Sequence, residues 1–183
     1  MTMKRTFILF VALVFSATLL AQKKTTTSAV IAFDASTAID ELPKAVNKTV
    51  IGALDTKTGK VQFEAAVKNF AFTNPSIQNH FNSAKWMNSD EFPKFSFTGT
   101  INELKKIRFT KDGEYKTTVT GDLIIKDVTK PITTPVTITV NGNEITTSAS
   151  FTIRLADYGI TGVPIDAGKV AKEPTISVSA SLK

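Results

Sequence analysis

The chain contains no cysteine and a single histidine, His80, among its 183 residues. The absence of cysteine excludes disulfide staples, a thiol nucleophile, thiolate metal sites and a lipid anchor on cysteine. A metal centre needs several converging ligands, and His80 has only Asp90 and Glu91 near it, about ten residues on. Nucleophilic catalysis lacks its frame as well, because no Gly-x-Ser-x-Gly elbow accompanies the histidine. GALDTKTGK (52–60) looks like a phosphate loop only at first sight. Its glycines enclose residues 53–58 rather than four positions, and Val61 follows the lysine where Ser or Thr is needed. The expectation is a chain with no catalytic residue, no metal and no cofactor.

Long apolar runs are almost as scarce. The exception is FILFVALVFSATLLA (Phe7 to Ala21), which follows Lys4 and Arg5 and stops at a small residue before QKKTTT. It is short for a spanning helix, which needs about 20 residues. A basic start, a short apolar centre and a small residue before a polar shift predict a signal peptide over 1–21, cleaved near Ala21/Gln22. The remaining domain, 22–183, is then soluble and periplasmic or secreted. Loss of Lys4 and Arg5 lowers the formal net charge from +6 to +4. The lysines are scattered and do not interleave with aromatic residues, so nucleic acid is excluded as a partner. The densest basic stretch, ELKKIRFTK (Glu103 to Lys111), reads first as the solvated face of a hairpin and second as an anionic headgroup site.

What the sequence does have is a period of two. In EYKTTVTGDLIIKD, Tyr115, Thr117, Val119, Gly121, Leu123 and Ile125 share one face, and Lys116, Thr118, Thr120, Asp122 and Lys126 share the other. The same alternation runs through PVTITVNGNEITTSASFTI, where Asn141-Gly142 signals a tight hairpin turn. DTKTG (55–59) and Asp112-Gly113 propose two more turns. Eight strands are expected, near 28–33, 48–54, 60–68, 94–109, 114–126, 132–140, 144–155 and 175–182. Short antiparallel connections between half-apolar strands predict an all-β fold: an eight-stranded antiparallel, lipocalin-like barrel that leaves no exposed edge, with a β-sandwich as the competing architecture.

Two segments break the pattern. Asn74-Pro75 reads as a helix cap and first helical position, opening a short helical segment near 75–88 with Ile77, Phe81 and Ala84 at helical spacing. ADYGITGVPIDAGKVAKEP (156–174) is long for a connection in a compact domain and suggests a lid. His80 is expected as a partly buried imidazole tying the helix to a strand. Trp86, the only tryptophan, is expected at one end of the barrel, either at a mouth with its N–H wet or packed in the helix-to-barrel seam.

Phe63, Trp86, Phe95, Phe97, Val119, Leu123, Ile125, Phe151, Ile153 and Val178 are the residues expected to line the interior, with Ile176 beside them. An eight-stranded interior is either filled by side chains or holds one small ligand. The small inward residues Gly121, Ala149 and Ala180 would leave space beside the phenylalanine rings.

Four stretches resemble the YceI-like family: NHFNSAKWMNSDEFPKFSFTGTI (79–101), TGDLIIKDVTKPITTPV (120–136), FTIRLADYGI (151–160) and the final strand, together covering roughly 60–183. Two features differ from it. The segment 27–55 has no His-Leu-Gly-like turn, and Arg154 stands one position before the place where members often carry arginine. The resemblance implies a non-catalytic barrel that holds an isoprenoid or other long-chain lipid, polyisoprenoid or quinone-like, for storage or transport. Transient membrane contact and a homodimer are compatible with it. The alternatives are a filled barrel serving as an envelope interaction module and a lipid-modifying enzyme.

Overall fold

The computed structural model describes residues 22–183, so the expected signal peptide lies outside the described residues. Nine strands form one antiparallel sheet: β1 (Lys23–Asp34), β2 (Lys44–Asp55), β3 (Lys60–Ala66), β4 (Ala71–Phe72), β5 (Lys94–Ile101), β6 (Gly113–Ile125), β7 (Val128–Asn141), β8 (Glu144–Thr152) and β9 (Thr175–Leu182). Their order is β1-β9-β8-β7-β6-β5-β3-β2, and β1 pairs back onto β2. The sheet thus closes into an eight-stranded barrel, with β4 added as a short extra strand beside the start of β2.

Tight turns make this topology, β2–β3 and β7–β8 at one end and β6–β7, whose Ile125 pairs with Val128, at the other. Asp55 Oδ1 accepts the backbone N–H groups of Lys57 and Thr58, each at 2.9 Å, and so fixes the β2–β3 turn. At the β7–β8 hairpin Asn141 is already paired with Glu144, so the loop residues are Gly142 and Asn143. Gly142 takes a positive φ, 57°, and the loop lies one residue beyond the expected Asn141-Gly142 pair. This end, called the hairpin end below, also carries the segment 102–112.

That segment corrects one expected strand. β5 was expected to run to residue 109 and stops at Ile101. Leu104–Lys106 form a 3-10 turn instead, and the Tyr115 hydroxyl pins the loop by donating to the carbonyls of Arg108 and Lys111. Leu104, Ile107 and Phe109 all pack on the core, a spacing no single strand face provides. ELKKIRFTK is therefore an apolar-anchored loop rather than a hairpin face.

The opposite, loop end holds the long connections 35–43, 67–93 and 153–174. Helix α1 (Pro75–Asn82) starts as expected, with Asn74 Oδ1 accepting the Ser76 N–H at 2.8 Å, and it ends six residues before the expected limit at 88. Phe81 from α1 meets Phe72 of β4 and Phe33 of β1, with ring centroids 4.9 and 6.4 Å apart. Those tilted ring contacts seat the helix on the barrel rim. The 153–174 connection is less irregular than expected, containing a 3-10 turn (Leu155–Tyr158) and the short helix α2 (Val163–Asp166).

One buried polar side chain is built into the wall. Asn47 is fully buried, donates to the Ala66 carbonyl at 2.9 Å, and accepts from the Thr49 N–H and hydroxyl. It stands opposite Ile31, where the β1–β2 register shifts, and its amide satisfies backbone groups that the irregular ladder leaves unpaired.

Candidate binding cavity

The two ends of the barrel are packed and the middle is not. Leu54, Ile101, Ile138, Ile145 and Leu182 are essentially inaccessible and plug the hairpin end. Phe70, Phe81, Met87, Leu155 and Ile160 close the loop end. Between them Ile31, Phe63, Phe97, Leu123, Phe151, Ile176 and Val178 are only partly buried, because they face a space inside the barrel.

The space inside the barrel has a volume of about 170 Å³. The space lies between the two packed ends of the barrel. Every lining residue except Thr134 and Thr147 is apolar. A cavity of this size with such walls does not attract water, and left empty it costs on the order of 4 kcal/mol.

All ten residues expected in the interior lie in the wall of this one cavity: Phe63, Phe95, Phe97, Val119, Leu123, Ile125, Phe151, Ile153 and Val178 from the strands, and Trp86 from the loop end. The strand residues arrive there by alternation, since Phe97 pairs with Phe63 on one side and Leu123 on the other. Sequence reasoning missed Ile31 and Phe33 of β1, Phe70, Phe81 and Met87 of the capping connection, and Ile132 and Val136 of β7. In β1 the signal was masked because Val30 and Ala32, on the outer face, are apolar too.

The expected space at Gly121 is not there. The Phe97 ring lies over it, and a Cβ on Gly121 would meet the Gly99 Cα and Thr98 carbonyl oxygen at 2.4 Å. Gly121 serves a sharp close approach of β5 and β6, and the cavity opens elsewhere, beside Ala149. Ala180 is buried within the packed core and does not line the cavity.

Trp86 is packed rather than wet, with 9% of its surface exposed. It forms the floor of the loop end. His80 is corrected more strongly: its side chain is exposed, and its ring stands against Trp86, 5.6 Å between centroids, rather than tying α1 to a strand. Arg154 also points outward and pairs with Glu173 at 3.2 Å.

The wall has one incomplete seam. β7 is bonded to β6 along its whole length, but to β8 only from Val136 to Asn141. Pro131 and Pro135 explain the gap. Neither can donate a hydrogen bond, so both fit the β6 ladder only with their nitrogens turned to the β8 side, where they remove the donors β8 would need. The 3-10 turn Leu155–Tyr158 packs against β7 over this seam. Ile132 and Thr134 on one side, and Ile153, Leu155 and Ile160 on the other, reach the cavity.

No titratable side chain lines the cavity. In the turn that packs against β7, burial pushes the Tyr158 phenol above its ordinary value, with the charge of Asp157 adding to it. Among the described residues no group of three metal-ligating side chains gathers anywhere, and no helix is long and apolar enough to cross a membrane.

Comparison with known proteins agrees with this geometry. The family model described as YceI-like domain matches residues 14–182. A polyisoprenoid binding domain from Saccharophagus degradans, implicated in plant cell wall breakdown, superposes with a TM-score of 0.75 at 11% identity, covering 88% of this chain and 98% of that one. BcnA from Burkholderia cenocepacia gives 0.67 at 21% identity, covering 90% and 98%. A YceI protein from Campylobacter jejuni gives 0.53 at 18%, covering 74% and 81%. At such identities these structures establish the shared barrel alone. No curated protein matches the chain.

Proposed function

The chain belongs to the YceI-like domain family, and on that premise we propose that it is an exported binding protein that encloses a long apolar lipid, polyisoprenoid or quinone-like, for storage or transport. The observation that carries the reading is the cavity inside the barrel, walled almost wholly by carbon. Lipid in that space would contact Phe63, Phe97, Leu123, Phe151 and Val178 at mid-barrel, with Trp86 at its far end.

The magnitudes support it. At about 0.8 kcal/mol per buried CH₂, each isoprene unit contributes up to roughly 3 to 4 kcal/mol before ordering costs, so three units exceed the roughly 8 kcal/mol of a micromolar complex. Filling the void also recovers the stability that an empty cavity forfeits. A site without a titratable pair offers no acid or base for chemistry on the lipid, which favours holding over conversion.

Native mass spectrometry of protein purified without detergent from its own exported compartment tests the proposal. The expected result is a non-covalent adduct with the mass of a polyprenyl or quinone-like lipid, accompanied by a lower melting temperature after delipidation. Folded protein that carries no adduct in any preparation would leave the barrel a binding fold without cargo.

A further inference from the structure

The most exposed large apolar side chains of the described residues are not scattered. Val163 is 79% exposed, Ile39 71%, and Leu42 and Ile51 each 49%. Ile51 stands alone on the barrel wall. The other three sit on the two connections at the loop end, 35–43 and 153–174, and these touch each other. The Ala171 N–H donates to the Ala35 carbonyl at 2.8 Å, and Ile39 Cδ1 lies 3.7 Å from where a Cβ on Gly168 would stand.

The 153–174 connection is two-sided. Its inner side chains Leu155 and Ile160 line the cavity and its Leu155–Tyr158 turn covers the seam left by Pro131 and Pro135, while Val163 points to solvent from the next turn. The same connection thus carries apolar side chains on its inner side, toward the cavity, and at its outer tip. We propose that Ile39, Leu42 and Val163 form a membrane-contact tip that dips into a lipid bilayer at the level of the headgroups and acyl boundary, placing the seam where cargo passes between bilayer and barrel. The proposal rests on the lipid-holding reading of the cavity.

A bilayer fits this surface better than a protein partner does. Three aliphatic side chains offer at most roughly 300 Å² of apolar surface, well short of the roughly 800 Å² per partner of a stable protein interface. They carry no tryptophan, tyrosine or arginine anchor of the kind that concentrates affinity between proteins. Loop-borne aliphatic tips need no matching shape in a fluid layer. Contact of this size is weak and reversible, as a carrier that must leave the membrane requires.

The opposite end offers a different membrane surface, and the two can be told apart. At the hairpin end Asp55 and Asp112 accept backbone N–H groups, and Glu103, Glu114 and Glu144 pair with lysines, leaving Lys60, Lys105, Arg108 and Lys111 exposed with no salt-bridge partner among the described residues. Docking through that end would need anionic lipid and would weaken steeply with salt, whereas docking through the apolar tip needs neither.

The test is flotation of the domain with vesicles of phosphatidylcholine alone and of phosphatidylcholine mixed with phosphatidylglycerol, at low and high salt. The variants are Ile39→Ser/Leu42→Ser/Val163→Ser and Ile51→Ser as the exposed control. Wild type and Ile51→Ser are expected on both vesicles at both salts, and the triple variant should lose at least tenfold in bound fraction. Its melting temperature and co-purified lipid adduct should not change. Binding confined to anionic vesicles and abolished by salt would assign docking to the basic end and overturn the proposal. So would a triple variant that floats like wild type, or one that changes only the oligomeric state. If neither protein floats while both retain an adduct, the tip is refuted and the lipid-holding reading stands. If the triple variant alone fails to float and no preparation carries an adduct, the tip stands and the cargo reading falls.

Discussion

The Cζ atom of the Phe97 ring lies 2.8 Å from the position a Cβ would occupy on Gly121 of the neighbouring strand. A side chain at 121 would also collide with backbone, the Gly99 Cα and Thr98 carbonyl oxygen at 2.4 Å, which cannot turn away as a flexible side chain could. Gly121→Ala is therefore expected to destabilise the barrel by about 2 to 4 kcal/mol, at or beyond the upper range for overpacking. A thermal melt should show a fall of roughly 4 to 16 °C at about 2 to 4 °C per kcal/mol. An unchanged melting temperature would mean that β5 and β6 do not approach this closely.

Phe97 and Ser96 are adjacent and face opposite sides, one the cavity and the other the outer surface beside Glu64. Phe97→Lys places an unpaired ammonium in an apolar cavity, several kcal/mol out of place, and should lower stability and abolish lipid adducts together. Ser96→Lys should stay within about 0.5 kcal/mol of wild type. Equal melting temperatures for the two variants would reverse the inside and outside of β5.

The seam makes a prediction for backbone protection. Thr133 lies between Pro131 and Pro135 with its N–H on the same side as their nitrogens, facing no partner strand, whereas Ile132 and Thr134 face β6. Deuterium exchange resolved by residue should show Thr133 exchanging much faster than Ile132 and Thr134. Uniform protection along β7 would show that β8 or the capping turn bonds to this edge after all.

Tyr158 gives a pH signature. Its phenol is held above the ordinary tyrosine value, first by burial and then by Asp157. A raised folded-state value means the contribution is fully present below the unfolded value near pH 10 and is lost as pH rises through the folded one. Denaturant midpoints measured at about pH 9 and about pH 11 should fall for wild type and fall less for Tyr158→Phe, which removes the ionisation. No difference between the two proteins would detach the alkaline loss from this residue.

Alternation by itself determined the strands and their inward faces. Phe95 and Phe97, Val119, Leu123 and Ile125, and Ile176 and Val178 recur at every second position, and a pleated strand has no choice but to put such a set on one side. The Asp55 and Asn141-Gly142 turns marked two places where the chain reverses, whereas the expected Asp112-Gly113 turn is the end of the longer loop 102–112, and short antiparallel reversals with half-apolar strands led to a closed barrel. The helix start at Asn74-Pro75 was legible for a similarly local reason, one side-chain cap and one proline.

Only the tertiary structure decided what no local pattern encodes. Whether the interior is hollow depends on the summed volumes of side chains from eight strands and two caps, and on how close the Phe97 ring lies to Gly121 in the wall. His80 is exposed because α1 meets the barrel through Phe81, a choice of helix face set by the aromatic cluster of Phe33, Phe70 and Phe72. The stretch 102–109 left the β pattern because packing Leu104, Ile107 and Phe109 on the core stabilises a loop more than one strand face could. The seam was written in the sequence as Pro131 and Pro135, but which edge they disable is known only once β8 is placed beside them, because proline's missing donor matters only where a partner strand would have accepted it.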